Sequence, residues 1–305
     1  MADHPSNRMN LGIEIGGTKL QVVAGEGTAI RHHFRFTVDK SRGASGILEH
    51  IDEAIQQIPA PIQTVGVGFG GPVDTQTGRI ATSHQIEGWA GFGLADWLRE
   101  RTSAERIRVE NDANVAALGE ATHGAGRHFR QVFYVTLGSG VGGGMIVDGQ
   151  IYHGMPPGET EIGHIRLDKT GTTLESVCSG WAVDQEIRHA IADLSTDSLL
   201  KQLVGTQKTG EARFLREAFD QGDPTARRIF ERIADDLAFA LSHVVHLLHP
   251  DVLILGGGLS LTGEPLRAAV EKILPTYIMG AFQPGPAIRL AELGENTVPI
   301  GALSL

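Results

Sequence analysis

The sequence predicts an α/β fold, and three observations carry that prediction. Apolar, β-rich stretches alternate with helically spaced ones; four apolar strands run straight into glycine turns; and 41% of the 305 residues are hydrophobic, ample material for a core. The four strand-to-glycine stretches are LGIEIGGTK (Leu11 to Lys19), VGVGFGGPVD (Val65 to Asp74), FYVTLGSGVGGGMIV (Phe133 to Val147) and VLILGGGLS (Val252 to Ser260). Glycines after strands let backbone N–H groups approach a bound group that a Cβ would fend off. Four such turns point to a large anionic ligand gripped from several sides, a nucleotide triphosphate being the commonest. The length fits one large or two medium domains.

Taken in order, residues 11–24 read as strand, glycine turn, strand, and Ile47, Leu48, Ile51, Ile55 and Ile58 follow at helical spacing, ending before Pro59. A second helix is expected to start near Asp112, after the strand-like IRVE. Residues 133–147 repeat the strand, turn, strand pattern. A third helix follows Gly180, with Trp181, Ile187, Ile191 and Leu194 on one side. Between Leu194 and Asp223 the chain is polar and without period, which predicts a mobile loop or a short helical excursion. The longest helix has the clearest limits: Asp223 is an N-cap, Pro224 takes the first helical position and Pro250 lies just past the end. Its apolar residues, from Ile229 to Leu248, step by three or four, and VLIL then reads as a buried strand.

Composition excludes several classes of function. A formal charge of -10 makes the electrostatic part of nucleic-acid binding repulsive, so no nucleic-acid partner is expected. No segment approaches the ~20 apolar residues of a membrane span, and the start, MADHPSNRMN, lacks the apolar core of a signal peptide, so a cytoplasmic protein is expected. Cys178 is the single cysteine, which rules out an internal disulfide and a multi-thiolate metal site.

Two stretches, Gly66-x-Gly68-x-x-Gly71 and Gly138-x-Gly140-x-x-Gly143, match the dinucleotide fingerprint, which needs a helix directly after the turn. Pro72-Val73-Asp74 reads as a loop, and Met145 to Val147 as a strand, so neither qualifies. No Gly-Lys pair occurs, so no Walker A loop exists either. Two hairpins remain, each able to hold phosphate with backbone donors.

The ordered segments IEIGGTK, GFGGPVD, Gln85 to Trp89 before LADWL, ENDANVAALGE, VTLGSGVGGG, GETEIGH, LESVCSG, LILGGGLS and the closing VPIGAL carry a resemblance along essentially the whole chain. The sequence resembles the ROK-family sugar kinases, a branch of the actin-like ATPase superfamily. The resemblance implies a two-lobed, ribonuclease H-like α/β fold with the active site in the interlobe cleft. An N-terminal lobe would span 1–120, completed by 290–305, and a C-terminal lobe 121–289. It further implies that Gly16, Gly17, Thr18 and Lys19 of one hairpin and Gly138, Ser139 and Gly140 of the other hold ATP phosphates. The turn at Gly256, Gly257 and Gly258 would pass near the adenosine, and Asp112 would be the catalytic base.

The residue types suit that chemistry. Phosphoryl transfer to a hydroxyl needs a carboxylate to take the proton, donors for the moving charge and magnesium on the phosphates. Asp112 has the chemistry for the first role, although at the start of an alanine-rich helix it would equally serve as an N-cap or first-turn acid. Sugar recognition calls for directional donors and acceptors, which by position are Asn111, Asp112, Glu161, His164 and Glu175 near the Gly71-Pro72 turn. Gln85 stands where the family pattern has asparagine, four before Trp89, a change that bears on which sugar fits. Glu14 replaces the family aspartate; strand alternation sets it opposite Ile13 and Ile15, where it would hold magnesium through bound water.

The family's zinc site joins the histidine of GEIGH to three cysteines. Here that stretch reads DKTGTTLE, so no structural zinc site is expected, although Glu175 is retained. His243, His246 and His249 step by three, which drifts by about 60° per step around a helix and suits a polar flank better than a metal site. The expected activity is transfer of the γ-phosphoryl group of ATP to the 6-hydroxyl of a hexose, glucose first, by a homodimer. The alternative is a sugar-responsive regulator or a non-catalytic sugar-binding protein. Regulators of this family carry a helix-turn-helix module, and about ten residues before the first strand are too few for one.

Overall fold

The computed structural model describes residues 8–83, 85–155, 160–192, 198–259 and 263–305. The opening segment through Asn7, Gly158 and Glu159 of the GETEIGH stretch, Leu194 and Ser260 lie outside the described residues. The chain separates into two compact units. One comprises the described residues within Met1–His128, Gly144–Glu159 and Glu292–Leu305, the other those within Phe129–Gly143 and Thr160–Ala291. With its alternating strands and helices the protein is α/β.

The first unit is built on five strands, β1 (Met9–Ile15), β2 (Lys19–Glu26), β3 (Ala29–Thr37), β4 (Ile62–Phe69) and β7 (Arg106–Asn111), in the order β3-β2-β1-β4-β7. β1, β2 and β3 form an antiparallel meander, whereas β4 and β7 run parallel to β1, so three strands end side by side at Ile15, Phe69 and Asn111. Crossovers join the parallel strands, with α1 (Gly43–Gln56) before β4 and α2 (Leu94–Thr102) before β7; a short ribbon, β5 (Val73–Asp74) with β6 (Arg79–Ile80), follows β4. Ile58, the last apolar residue of the first helical run, is buried just beyond the end of α1.

The final helix of this unit, α10 (Thr297–Leu303), packs on β1 and on α3 (Asp112–His123) at distances only glycine permits. A Cβ on Gly12 would stand 2.7 Å from the Pro299 carbonyl oxygen, and one on Gly119 2.6 Å from that of Thr297. Glu120 fastens the same region. Its fully buried carboxylate accepts the N–H groups of Ala125 (2.9 Å), Glu292 (3.1 Å) and Leu293 (2.9 Å), which offsets the cost of burying a charge.

In the second unit, β8 (Gln131–Leu137) pairs in parallel with β11 (Val252–Gly256), and β11 with β12 (Ala287–Leu290). β9 (Val141–Val147) follows β8 after the Gly138–Gly140 turn and carries the chain into the first unit, where its last residues pair with β10 (Gln150–Ile151). Gly71 leads into the β5 ribbon and Gly143 lies within β9, so no helix follows either fingerprint-like run.

The long helix α8 (Pro224–Leu248) starts as its sequence dictates. The Asp223 carboxylate accepts from Thr225 N (2.8 Å) and Ala226 N (2.9 Å), and His249 ends the helix in the left-handed conformation. Ile229, Phe230, Ile233, Leu237, Leu241 and Val244 are buried along one stripe, each contributing roughly 1.5–3 kcal/mol. Against it lie α4 (Leu174–Cys178), α5 (Gly180–Ala192), α7 (Leu215–Asp220) and α9 (Glu264–Ile273). Of the two readings for the stretch between Leu194 and Asp223, a mobile loop or a short helical excursion, the described residues favour the second: α6 (Leu199–Val204), a 3-10 turn at Glu211–Phe214 and α7 occupy much of it. These pieces are one or two turns long, too short for a helical period to register.

Candidate active site

In the first unit the predicted residues gather where β1, β4 and β7 end. The β1–β2 turn closes with Gly16 N–H on Lys19 O at 3.0 Å, leaving Gly17 half-buried and Thr18 exposed. Gly70 N–H donates to Ile15 O (2.9 Å), drawing the end of β4 against β1. A Cβ on Gly70 would lie 3.3 Å from Asp112 Oδ2, 3.4 Å from Ile15 O and 3.7 Å from Gly16 Cα. The Asp112 carboxylate thus lies close against Gly70, which in turn borders the glycine end of β1.

Asn111 rather than Asp112 caps α3. Its Oδ1 accepts from Ala113 N (2.9 Å) and Asn114 N (3.4 Å), and its Nδ2 donates to Gly71 O at 3.5 Å. Asp112 is the first helical residue and is half-buried, where the partial positive charge of the helix start favours a carboxylate.

Glu14 faces Gln21 across the β1–β2 register. Its Oε1 lies 3.2 Å from Lys19 Nζ, and its Oε2 accepts from Gln21 Nε2. Gln21 is fully buried and also donates to Glu295 O at 3.0 Å, and its Oε1 lies 2.8 Å from His33 Nε2. Partial burial, then the nearby Arg35 and Lys19 cations, hold His33 below its ordinary pKa, and Arg35 Nε also points at its Nε2 from 3.1 Å. Gln21 was missed in the sequence. The signal for it was the register itself, because a turn that pairs Gly16 with Lys19 sets residues 14 and 21 opposite each other.

Gln85 lies against the first turn, with its side-chain amide occupying the space a Gly17 Cβ would need. Ile15, Gly16, Gly17, Phe69, Gly70, Ser83, Gln85, Ile86 and Trp89 line a cavity of about 10 Å³ there, room for one water.

The second unit brings together Gly138, Ser139, Gly140 and Glu175. Gly138 N–H bonds Gly140 O (2.9 Å), and Gly138 O accepts from Gly180 N (2.8 Å). Glu175, on α4, accepts the N–H of Val141 at 2.9 Å, so one of its oxygens is committed to bracing this turn. Glu161 caps a one-turn 3-10 segment, Ile162–His164, that His164 ends, and both residues are exposed. That segment is held to β9 by Thr160 Oγ1 donating to Gly143 O at 2.9 Å. Gly257 has φ +82°, and a Cβ on it would stand 2.6 Å from the Leu137 backbone; around Gly258 the corresponding space is open.

Where the resembling family has its zinc ligands, Asp168 organises the loop. Its Oδ1 accepts from Thr170 N (2.7 Å), Thr170 Oγ1 (2.6 Å), Gly171 N (2.9 Å) and Thr172 N (3.2 Å), which hold its carboxyl far below the usual range. Cys178 is buried under Ile233 O, and burial pushes its thiol up. Among the described residues no group of three or more His, Cys, Asp or Glu side chains is placed to hold a metal ion. His243, His246 and His249 serve separate partners, respectively Phe239 O, Met279 N and the Phe282 ring.

The sequence model of the ROK family matches residues 10–305. The chain belongs to the ROK family. Among its relatives is a glucokinase from Thermotoga maritima, 31% identical over 309 residues that cover 97% of this chain and 96% of the relative. An N-acetyl-D-glucosamine kinase from Histophilus somni is 29% identical, covering 97% and 98%. The ROK glucokinase of Streptomyces griseus, solved with glucose and AMPPNP, superposes with a TM-score of 0.83 at 29% identity over 97% of this chain and 98% of that one. The ROK protein described here therefore has the two-lobed actin-like ATPase fold of these kinases. No helix among the described residues is long and apolar enough to cross a membrane.

Proposed function

We propose that this ROK protein is an ATP-dependent sugar kinase that transfers the γ-phosphoryl group to the 6-hydroxyl of a hexose, with glucose as its first substrate. The observation that carries the reading is the Asp112 carboxylate at the start of α3, 3.3 Å from where a Cβ on Gly70 would sit and bordered by the glycine end of β1. The glucokinase relative supports the choice of sugar.

Asp112 takes the proton of the attacking hydroxyl; the hydroxyl oxygen bonds to the γ-phosphorus, and ADP departs with the electron pair of the broken P–O bond. In the Gly16–Gly17 and Gly138–Gly140 turns, the Gly16 and Gly138 N–H groups close the turns on Lys19 O and Gly140 O, and the N–H groups of Gly17, Ser139 and Gly140 hold phosphate oxygens. Thr18 and Lys19 extend the first turn, and the Gly256–Gly258 turn serves the adenosine. Asn111 has its oxygen engaged in capping, so it offers the sugar its amide N–H. Glu161 and His164 supply exposed polar groups, Glu175 and Gly71 shape the backbone they work with, and Gln85 tunes the choice of hydroxyl pattern.

Each Glu14 oxygen accepts one bond and retains further lone-pair capacity, so its carboxylate suits a magnesium-bound water. Magnesium, when bound, would offset phosphate charge. A coupled ADP-release assay over glucose, fructose, mannose, allose and N-acetylglucosamine tests the reading. Turnover with glucose above the others supports it, and N-acetylglucosamine in first place moves the substrate to the amino sugars.

A further inference from the structure

We propose that Trp181 is the platform on which the base of a bound nucleotide stacks. Trp181 is 50% exposed, whereas Trp89 is 1% exposed, so its large apolar ring is left in water at the start of α5. It directly follows Gly180, whose N–H holds Gly138 O at 2.8 Å, so the indole is anchored one residue from the glycine turn assigned to phosphate. The same helix fixes the surroundings. Asp184 accepts the N–H groups of Gly210 (2.9 Å) and Ala212 (2.7 Å), and Arg188 donates to Lys208 O (3.0 Å) and to the buried Glu211 (2.7 Å). Residues 181, 184 and 188 share one helical face, since steps of three and seven return to within about 60° of the same direction. That face is occupied by the 208–212 loop at Asp184 and Arg188 and carries the exposed indole at its phosphate-turn end.

The chemistry therefore runs from backbone donors at Gly138–Gly140 to a flat aromatic ring one residue beyond Gly180. A ligand with an anionic chain at one end and a planar, polarisable ring at the other matches it, as a nucleoside di- or triphosphate does. Sugars lack the planar ring, and inorganic polyphosphate lacks any ring. Stacking on an indole is tolerant of base identity, so adenine and guanine nucleotides are both accommodated.

This proposal rests on the phosphotransferase reading, and its test separates the two. ADP and inorganic tripolyphosphate are titrated by calorimetry, without sugar, into the full chain and into Trp181→Ala and Trp181→Phe. Trp181→Ala should weaken ADP binding roughly five- to a hundredfold, the range for losing one base–aromatic stack, while Trp181→Phe keeps most of it. Tripolyphosphate should bind all three proteins alike, which also shows that the variants are folded. ADP binding unchanged in Trp181→Ala, or ADP and tripolyphosphate weakened equally, overturns the platform and leaves the kinase reading intact. Wild type that binds no ADP overturns both.

Discussion

The β1–β2 hairpin and the β8–β9 hairpin are built alike, each an apolar strand, a glycine turn and a second strand, yet they are braced by different means. The first is held from within by a cross-strand cluster of Glu14, Gln21 and Lys19, and Gln85 lies over Gly17. The second is held from outside, by Glu175 on Val141 N–H and by Gly180 on Gly138 O. The difference suits each to the part proposed for it. Around the first turn are the ionisable groups Glu14, Lys19 and Asp112, which suit proton and metal chemistry. Among the described residues the second carries no such cluster and is steadied by the Glu175 carboxylate together with the Gly180 N–H.

The largest effect expected from breaking this contrast is at Asp112. Asp112→Asn should lose roughly 10²- to 10⁴-fold in turnover, the usual worth of general-base assistance, with sugar affinity by calorimetry near normal. Turnover that stays normal would remove Asp112 as the base.

Next comes backbone strain. Gly257→Ala must hold φ +82° with a Cβ 2.6 Å from the Leu137 backbone, and should cost about 2 kcal/mol or more, read as a lowered denaturation midpoint. In Gly17→Ala the group in the way is the end of the flexible Gln85 side chain, so stability should hold while nucleotide or sugar KM rises. Equal losses of stability in the two variants would show that the Gln85 side chain yields no more readily than the Leu137 backbone.

The braces themselves come third. Glu175→Ala strands the Val141 N–H and should raise the KM for ATP, whereas Glu175→Gln keeps an acceptor and should behave nearly as wild type. At Glu14 the order reverses. Glu14→Asp keeps the charge and much of the activity, while Glu14→Gln should lose most of it and need far more magnesium. A magnesium dependence that Glu14→Gln leaves unchanged would mean that Glu14 only satisfies Gln21 and Lys19.

The smallest effect is at Asp168, whose pKa is held down by hydrogen bonds from Thr170 and Thr172. A depressed carboxylate adds stability above its unfolded pKa of 3.8 and loses it as pH falls toward the folded value. The melting-temperature gap between wild type and Asp168→Asn should be constant near neutrality and close below about pH 4. A gap that persists in acid would assign the loop's order to the threonines.

Local pattern revealed what local chemistry decides. Asp223-Pro224 announced the start of α8, and the glycine turns were visible with their strands. At α3 the sequence located the helix start but left Asp112 as either N-cap or first-turn acid, because its side chain suits both; the cap is Asn111. Nothing local marks Glu120 in its alanine-rich run; its burial depends on N–H groups at Glu292 and Leu293, far along the chain. Gly12 and Gly119 gave no signal for the same reason, since what they accommodate is α10. Gln21 became legible only once the hairpin register was known.

In the proposed reaction Asp112, at the start of α3 beside the first hairpin, takes the sugar's proton as a phosphoryl group moves from ATP. The most direct measurement is ADP release by the wild-type chain with magnesium and ATP, with and without glucose, beside Asp112→Asn. Release that depends on glucose and falls at least a hundredfold in Asp112→Asn is the predicted result. ADP release that proceeds equally without any sugar, or none with any hexose tried, would contradict it.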